Sequence, residues 1–171
     1  KTRIFKNVST QTTSLVDLQN SYASPVITAS SSRLSIKFAQ INGEKVLLLS
    51  EPPINMVYVI RDIPALASNT ISTAADFKIY KGSSCTGWDV ALFGRDIDIL
   101  HGPSTDELVI MHNSMRPDST EVKASVFSNF TWGSNIDLCT GKHLFASSST
   151  FSNFYPTQIA SASINGYKYI V

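Results

Sequence analysis

Leu34-Ser-Ile-Lys-Phe38, Ile41-Asn42-Gly43-Glu44 and Lys45-Val-Leu-Leu-Leu49 form the stretch that decides the fold class. Its first five residues alternate apolar and polar, the period of two that sets one face of a strand on a core and the other toward water. Asn42-Gly43 separates this run from a second apolar one. An Asn-Gly pair between strand-like segments predicts a two-residue type I′ hairpin, because both central residues of that turn need positive φ. Glu51-Pro52-Pro53 closes the hairpin, since proline cannot donate to a ladder.

The same grammar continues on both sides. Met56 to Ile60 reads as a buried strand, and Asp76-Phe-Lys-Ile-Tyr80 alternates. Trp88 to Phe93, Gly94-Arg95 and Asp96 to Leu100 predict a second hairpin, with Ile97 and Ile99 on one face and Asp96 and Asp98 on a solvated one. Leu108 to Met111, Val122 to Phe127, and Gln158 to Ile164 joined through Asn165-Gly166 to Tyr167 to Val171 read as further strands. A short helix suits only Pro64 to Ala75. About eight to ten short strands at roughly ten-residue spacing predict an all-β antiparallel sandwich or barrel, with at most one or two short helices. Residues 1–171 are expected to form a single domain, with 1–32 a polar N-terminal arm holding at most one strand and 33–171 the β core. The expected core is Leu34, Ile36, Phe38, Val46, Leu48, Val57, Val59, Phe77, Ile79, Val90, Leu92, Ile97, Ile99, Val109, Val122, Val126 and Ile164.

Composition narrows the function. The 171 residues carry 14 basic and 13 acidic side chains, a net charge of +1, and only 16% charged residues. Typical chains hold about 25%. Ser, Thr and Asn replace the missing charge, with 25, 14 and 10 copies. No like-charge block exists to neutralise phosphates, which argues against nucleic acid. The longest apolar run spans about four residues against the roughly 20 that a membrane helix needs, so no membrane insertion is expected. Lys1-Thr2-Arg3 opens no signal-peptide pattern, so export would rely on a signal already removed or on a longer chain. Cys85 and Cys139 are either one disulfide or two free thiols. Asn7-Val-Ser9 and Asn129-Phe-Thr131 are glycosylation sequons if the chain enters a secretory pathway.

Motifs for catalysis are lacking. No Gly-x-Ser-x-Gly elbow occurs, and His101, His112 and His143 follow no recognised spacing. Glycoside hydrolysis needs two carboxylates across a cleft, and the nearest set, Asp96, Asp98, Asp106 and Glu107, reads mainly as a solvated face. No metal-ligand spacing, phosphate loop or dinucleotide fingerprint is present, so no cofactor, metal or catalytic residue is expected. Carbohydrate binding remains, because neutral polar groups bond sugar hydroxyls while an aromatic ring packs on a sugar's apolar face. Trp88 and Trp132, each beside a glycine, and Tyr155 before Pro156 are candidate stacking rings, set against the alternative that they simply pack the fold.

Phe77-Lys-Ile-Tyr-Lys81-Gly82-Ser83-Ser84, then Phe93-Gly94-Arg95-Asp-Ile-Asp-Ile-Leu-His101-Gly102, resembles the receptor-binding head of the rotavirus outer-capsid spike protein in the order of its strands and turns. The resemblance covers Phe77 to Gly102. It implies a non-enzymatic attachment domain with a galectin-like pair of sheets, cell-surface glycan and the remainder of a larger spike as partners, and a place on the virion surface or otherwise outside the cell. It also implies that Lys81, Ser83, Arg95 and His101 border the glycan site. The paired tyrosines that help hold sialic acid in some members have no counterpart after His101, where this chain reads Pro103-Ser-Thr-Asp-Glu107.

The expected function is therefore glycan-binding attachment. A secreted β-rich hydrolase or toxin-like effector built on His101, Asp96 and Asp98 is the alternative from another class. A protein-interaction module pairing through the strand Tyr167 to Val171 is a third.

Overall fold

The computed structural model describes residues 3–6, 14–17, 35–61, 75–91, 93–116, 122–145 and 158–171; for 3–6, 14–17, 113–116 and 145 it describes the backbone alone. These residues form fourteen strands: β1 (Arg3–Lys6), β2 (Ser14–Asp17), β3 (Ile36–Ile41), β4 (Glu44–Glu51), β5 (Met56–Ile60), β6 (Phe77–Tyr80), β7 (Asp89–Ala91), β8 (Asp96–Leu100), β9 (Glu107–Arg116), β10 (Val122–Phe127), β11 (Ile136–Asp137), β12 (Lys142–Phe145), β13 (Ser161–Ile164) and β14 (Tyr167–Ile170). No helix of seven or more residues occurs among them, and the chain is all-β as its periodicity predicts.

Asn42 and Gly43 take φ of 49° and 84°, the left-handed pair that a type I′ turn requires. They join β3 to β4 in the register Ile41↔Glu44 and Ala39↔Val46. Asn165 and Gly166 repeat the solution, at 52° and 80°, between β13 and β14. One five-stranded sheet runs β11-β6-β5-β4-β3; in the other, β12, β10 and β9 lie side by side with β7 and β8 both on the far edge of β9. The pairs are antiparallel except β11 with β6, so the first sheet is mixed. Val46, Leu48, Val57, Val59, Phe77 and Ile79 meet Ile97, Ile99, Leu108, Ile110, Val122 and Phe127 between the two sheets, which makes the fold a sandwich. Each such side chain contributes about 1.5–3 kcal/mol on leaving water.

Several expectations need correction. Ile36 and Phe38 are 42% and 61% exposed, on the outer face of edge strand β3. Alternation specifies two faces without saying which is inner, and the register decides: Lys37 and Ala39 pair with the inward Leu48 and Val46. Lys37 escapes the core by reaching Asp98 at the edge of the opposite sheet. β7 and β8 are not a hairpin. They run along β9 as one interrupted strand, with the amides of Gly94 and Arg95 both donating to the Met111 carbonyl at 3.0 and 2.9 Å. Gly94 makes this bulge feasible, having φ 83° and standing where a Cβ would lie 2.9 Å from Ser50 and Val57 side chains. Asn55, in the turn before β5, bridges the interruption by donating to Val90 O at 3.2 Å and accepting from Phe93 N at 3.0 Å.

Asp96 and Asp98 are not a solvated face either. Their carboxylates accept the amides of Ile159 at 2.9 Å and Ser161 at 2.6 Å, fastening β13 and β14 over the second sheet. There Leu100, Val109 and Val126 pack with Leu144, Ile159 and Ile170 as a second apolar layer, so Val109 and Val126 are buried but outside the main core. Ile164 is 55% exposed instead of buried. The N-terminal arm contains a paired hairpin, β1 with β2, where at most one strand was expected. The strand total exceeds ten because β1, β2, β11 and β12, of two to four residues each, are too short to show a period of their own. Leu34, Leu92, most of the 64–75 segment and Tyr155 lie outside the residues whose side chains are described.

Candidate functional site

Loops gather at the end of the sandwich where β6, β10 and β11 finish or begin. The three-residue 3-10 turns Ser83–Cys85 and Leu138–Thr140 face each other there, and Cys85 is disulfide-bonded to Cys139 across a separation of 54 residues. Asp137 organises the junction: its carboxylate accepts the amides of Ser84 at 2.7 Å, Cys139 at 3.1 Å and Gly82 at 3.3 Å. Burial alone would raise its pKa, but these bonds from Cys139 and Ser84 hold it below the ordinary carboxylate value. Cys85, Asp137 and Cys139 are also the one grouping with metal-ligand proximity among the described residues. Metal ligation needs thiolates, and here both sulfurs are spent in the disulfide.

Beside this junction lies a cleft of about 460 Å³, walled by the loop from Phe127 to Ile136 and by the Thr140–Lys142 segment. Ser128, Asn129, Thr131, Ser134, Asn135 and Thr140 supply hydroxyls and amides, Phe130 and Ile136 supply apolar surface, and among the described residues Lys142 supplies the single charge and no carboxylate lines it. Two lining groups are fixed from behind: Asn135 accepts the Lys78 amide at 3.0 Å, and Thr140 donates to Asp137 O at 2.7 Å. Phe130 is anchored with its ring centroid 5.4 Å from Phe77 and 5.8 Å from Trp132. Trp132 in turn carries the Arg61 guanidinium 4.4 Å above its ring, and Arg61 is paired with Asp76.

The residues chosen from sequence do not converge. Lys81, Ser83 and Trp88 surround the disulfide: Lys81 donates to Trp88 O at 3.2 Å, and Ser83 O accepts the Thr86 hydroxyl. Trp88 is half-buried with its ring 5.0 Å from that of His143. Trp132 is half-buried at the other end of β6, against Phe77, and lies outside the cleft lining. Arg95 and His101 occupy opposite ends of β8. Tyr155 is outside the described residues. The cleft residues themselves were overlooked. Their signal in the sequence is the hydroxyl- and amide-rich loop Ser128 to Asn135, which also holds the sequon Asn129-Phe-Thr131.

The titratable groups fall into three settings. His101 is exposed and its Nδ1 lies 3.0 Å from Asp106, whose other oxygen accepts the Asn42 amide at 2.7 Å. Burial raises the Asp106 pKa, but the Asn42 and His101 bonds outweigh it and hold the carboxyl low. His112, Ser125 and His143 form a chain inside the sandwich, with Nε2 of His112 3.1 Å and Nδ1 of His143 2.9 Å from the Ser125 hydroxyl, and His143 Nε2 3.2 Å from Cys139 O. His112 and Ser125 are fully enclosed, and Nδ1 of His112 makes no hydrogen bond. Burial, reinforced by the neighbouring His143, lowers the His112 pKa to about 3. Glu51 is buried with the Tyr58 hydroxyl donating at 3.3 Å, and burial pushes its pKa up. Among the described residues no second carboxylate faces it across a cleft, the arrangement that glycoside hydrolysis requires.

Comparison with protein families, curated proteins and solved structures finds no match to this chain.

Proposed function

We propose that this chain is a non-enzymatic glycan-binding module that holds a cell-surface carbohydrate in the cleft beside Phe130. The carrying observation is the lining of that cleft: among the described residues it is hydroxyls and amides, two of them held by hydrogen bonds, around an anchored phenyl ring, with one lysine and no carboxylate. Sugars present alternating hydroxyls and apolar C–H faces, and this surface matches both without a strong field. The charge of Lys142 suits neutral or singly acidic glycans.

The wider reading is an attachment domain of a viral spike, acting on the virion surface or outside the cell, with the rest of the spike as its physical partner, no nucleic acid as a target and no membrane insertion by this domain. The resemblance of Phe77 to Gly102 to the rotavirus spike head supports it. The Cys85–Cys139 disulfide supports an oxidising location.

A glycan array with the folded protein tests the proposal. Phe130→Ala is expected to weaken the best hit about tenfold, which is about 1.4 kcal/mol, and circular dichroism checks that the variant is folded. An array blank for every sugar refutes the reading. Binding indifferent to Phe130→Ala but lost in Trp88→Ala moves the site to the disulfide junction.

The His101–Asp106 pair favours one second reading, a secreted hydrolase or toxin-like effector, because a carboxylate that fixes an exposed imidazole is half of a general-base device. Among the described residues no serine hydroxyl bonds that imidazole. Ester or glycoside turnover abolished by His101→Ala would establish this reading in place of the first.

A further inference from the structure

We propose that Asn129 is an N-glycosylation acceptor whose glycan roots at the lip of the cleft. The sequon Asn129-Phe130-Thr131 is divided by the fold into an anchor and two presented groups. Phe130 turns inward onto Phe77 and Trp132, while Asn129 and Thr131 on either side are exposed. Asn129 sits at φ 55°, in the left-handed region that Asn tolerates. Because Asn129 is exposed, a glycan on its amide displaces no packed side chain.

An independent observation concerns the compartment. The bond between Cys85 and Cys139 fits an oxidising environment, and the eukaryotic secretory pathway, which is one, also supplies oligosaccharyl transfer to Asn-x-Ser/Thr. The second sequon, at Asn7, lies outside the described residues.

The step is a substitution without redox change. Nδ2 of Asn129 attacks the anomeric carbon of a polyprenyl-diphosphate oligosaccharide, forming the N–C bond as the anomeric C–O bond breaks. The diphosphate lipid leaves with the electron pair, and the amide loses one proton to the transferase. Asn129 also lines the cleft, so an occupied Asn129 screens it from outside ligands. This last consequence rests on the glycan-binding reading; the modification itself does not.

The test is secretion of the full chain from a eukaryotic host, followed by peptide mass analysis. Treatment with an N-glycan amidase should convert Asn129 to Asp. Thr131→Ala should leave Asn129 unmodified and Thr131→Ser should keep it modified, so a merely misfolded variant is told apart from a lost acceptor. Recovery of the Asn129 peptide unmodified from secreted wild-type protein overturns the proposal. A second arm compares glycan-array binding by wild-type protein made with and without the transferase. Binding only by the unmodified form establishes screening, and equal binding by both forms refutes screening while leaving the acceptor site intact. Binding by neither form counts against the glycan-binding reading alone.

Discussion

Acidification should weaken this fold through His112, and the size of the effect follows from where the ring sits. His112 is fully buried on β9, stacked at 5.8 Å on Phe93, with one nitrogen on Ser125 and the other without a partner. Protonation would place a charge among apolar side chains and beside His143, so the folded pKa falls to about 3 from the ordinary 6.5. A pKa lowered on folding means that the unfolded chain binds the proton first. Stability is then full above pH 6.5 and declines as pH falls toward 3. At pH 4.5, two pH units below the unfolded value, the loss is about 3 kcal/mol, or roughly 6–12 °C in Tm for a domain of this size. His143, also lowered by burial, adds in the same direction. Glu51, raised by burial, opposes it. Asp98, Asp106 and Asp137, all held low, lose their contributions only as pH passes below their ordinary range near 4. Urea unfolding of wild type and His112→Gln at pH 7.5 and 4.5, with equal m values, isolates the histidine. The variant should lose about 3 kcal/mol less than wild type over this interval. Parallel losses in the two proteins would refute the assignment to His112.

The disulfide and the carboxylates of β8 give two further expectations. Removing the Cys85–Cys139 bond as Cys85→Ala/Cys139→Ala should cost about 2–4 kcal/mol, because a bond spanning 54 residues restricts the unfolded chain; an unchanged denaturation midpoint would contradict this. Asp98→Ala removes the acceptor of the Ser161 amide and hydroxyl and the partner of Lys37, so it should cost about 1–3 kcal/mol. Hydrogen exchange should quicken first across 158–171 and leave β9 and β10 protected, and a uniform rise along the chain would mean that Asp98 acts on the whole fold.

Local chemistry that was complete within a few residues was legible in advance. The Asn-Gly turns were, because positive φ at two adjacent residues is a property of those residues alone. β5 was, because its apolar run is buried whichever neighbours it finds. The alternating run at Ile36 misled because two faces were offered and only pairing with β4 chose between them. Gly94-Arg95 looked like a hairpin tip because turn and bulge draw on the same residues; what differs is the partner, β9, which lies beyond residue 106. The cleft was hidden for a related reason. Its neutral hydroxyls resemble those of many other loops in a chain with 25 serines, and only the close approach of the 127–136 and 140–142 segments gives them a shared volume.

By itself the sequence determined the all-β class, the two tight hairpin turns, most of the sandwich core, and a low overall charge. These follow from residue-level physics: the two-residue period of a strand, the dihedral freedom of Asn and Gly, and the cost of leaving apolar groups in water. Tertiary structure decided the inner face of β3, the route of β7 and β8 along β9, the bond between Cys85 and Cys139, the enclosure of His112, and the cleft beside Phe130. Each of these depends on groups distant in the chain meeting in space, and a carboxylate, an imidazole or a phenyl ring acquires its pKa, partner and exposure only from that meeting.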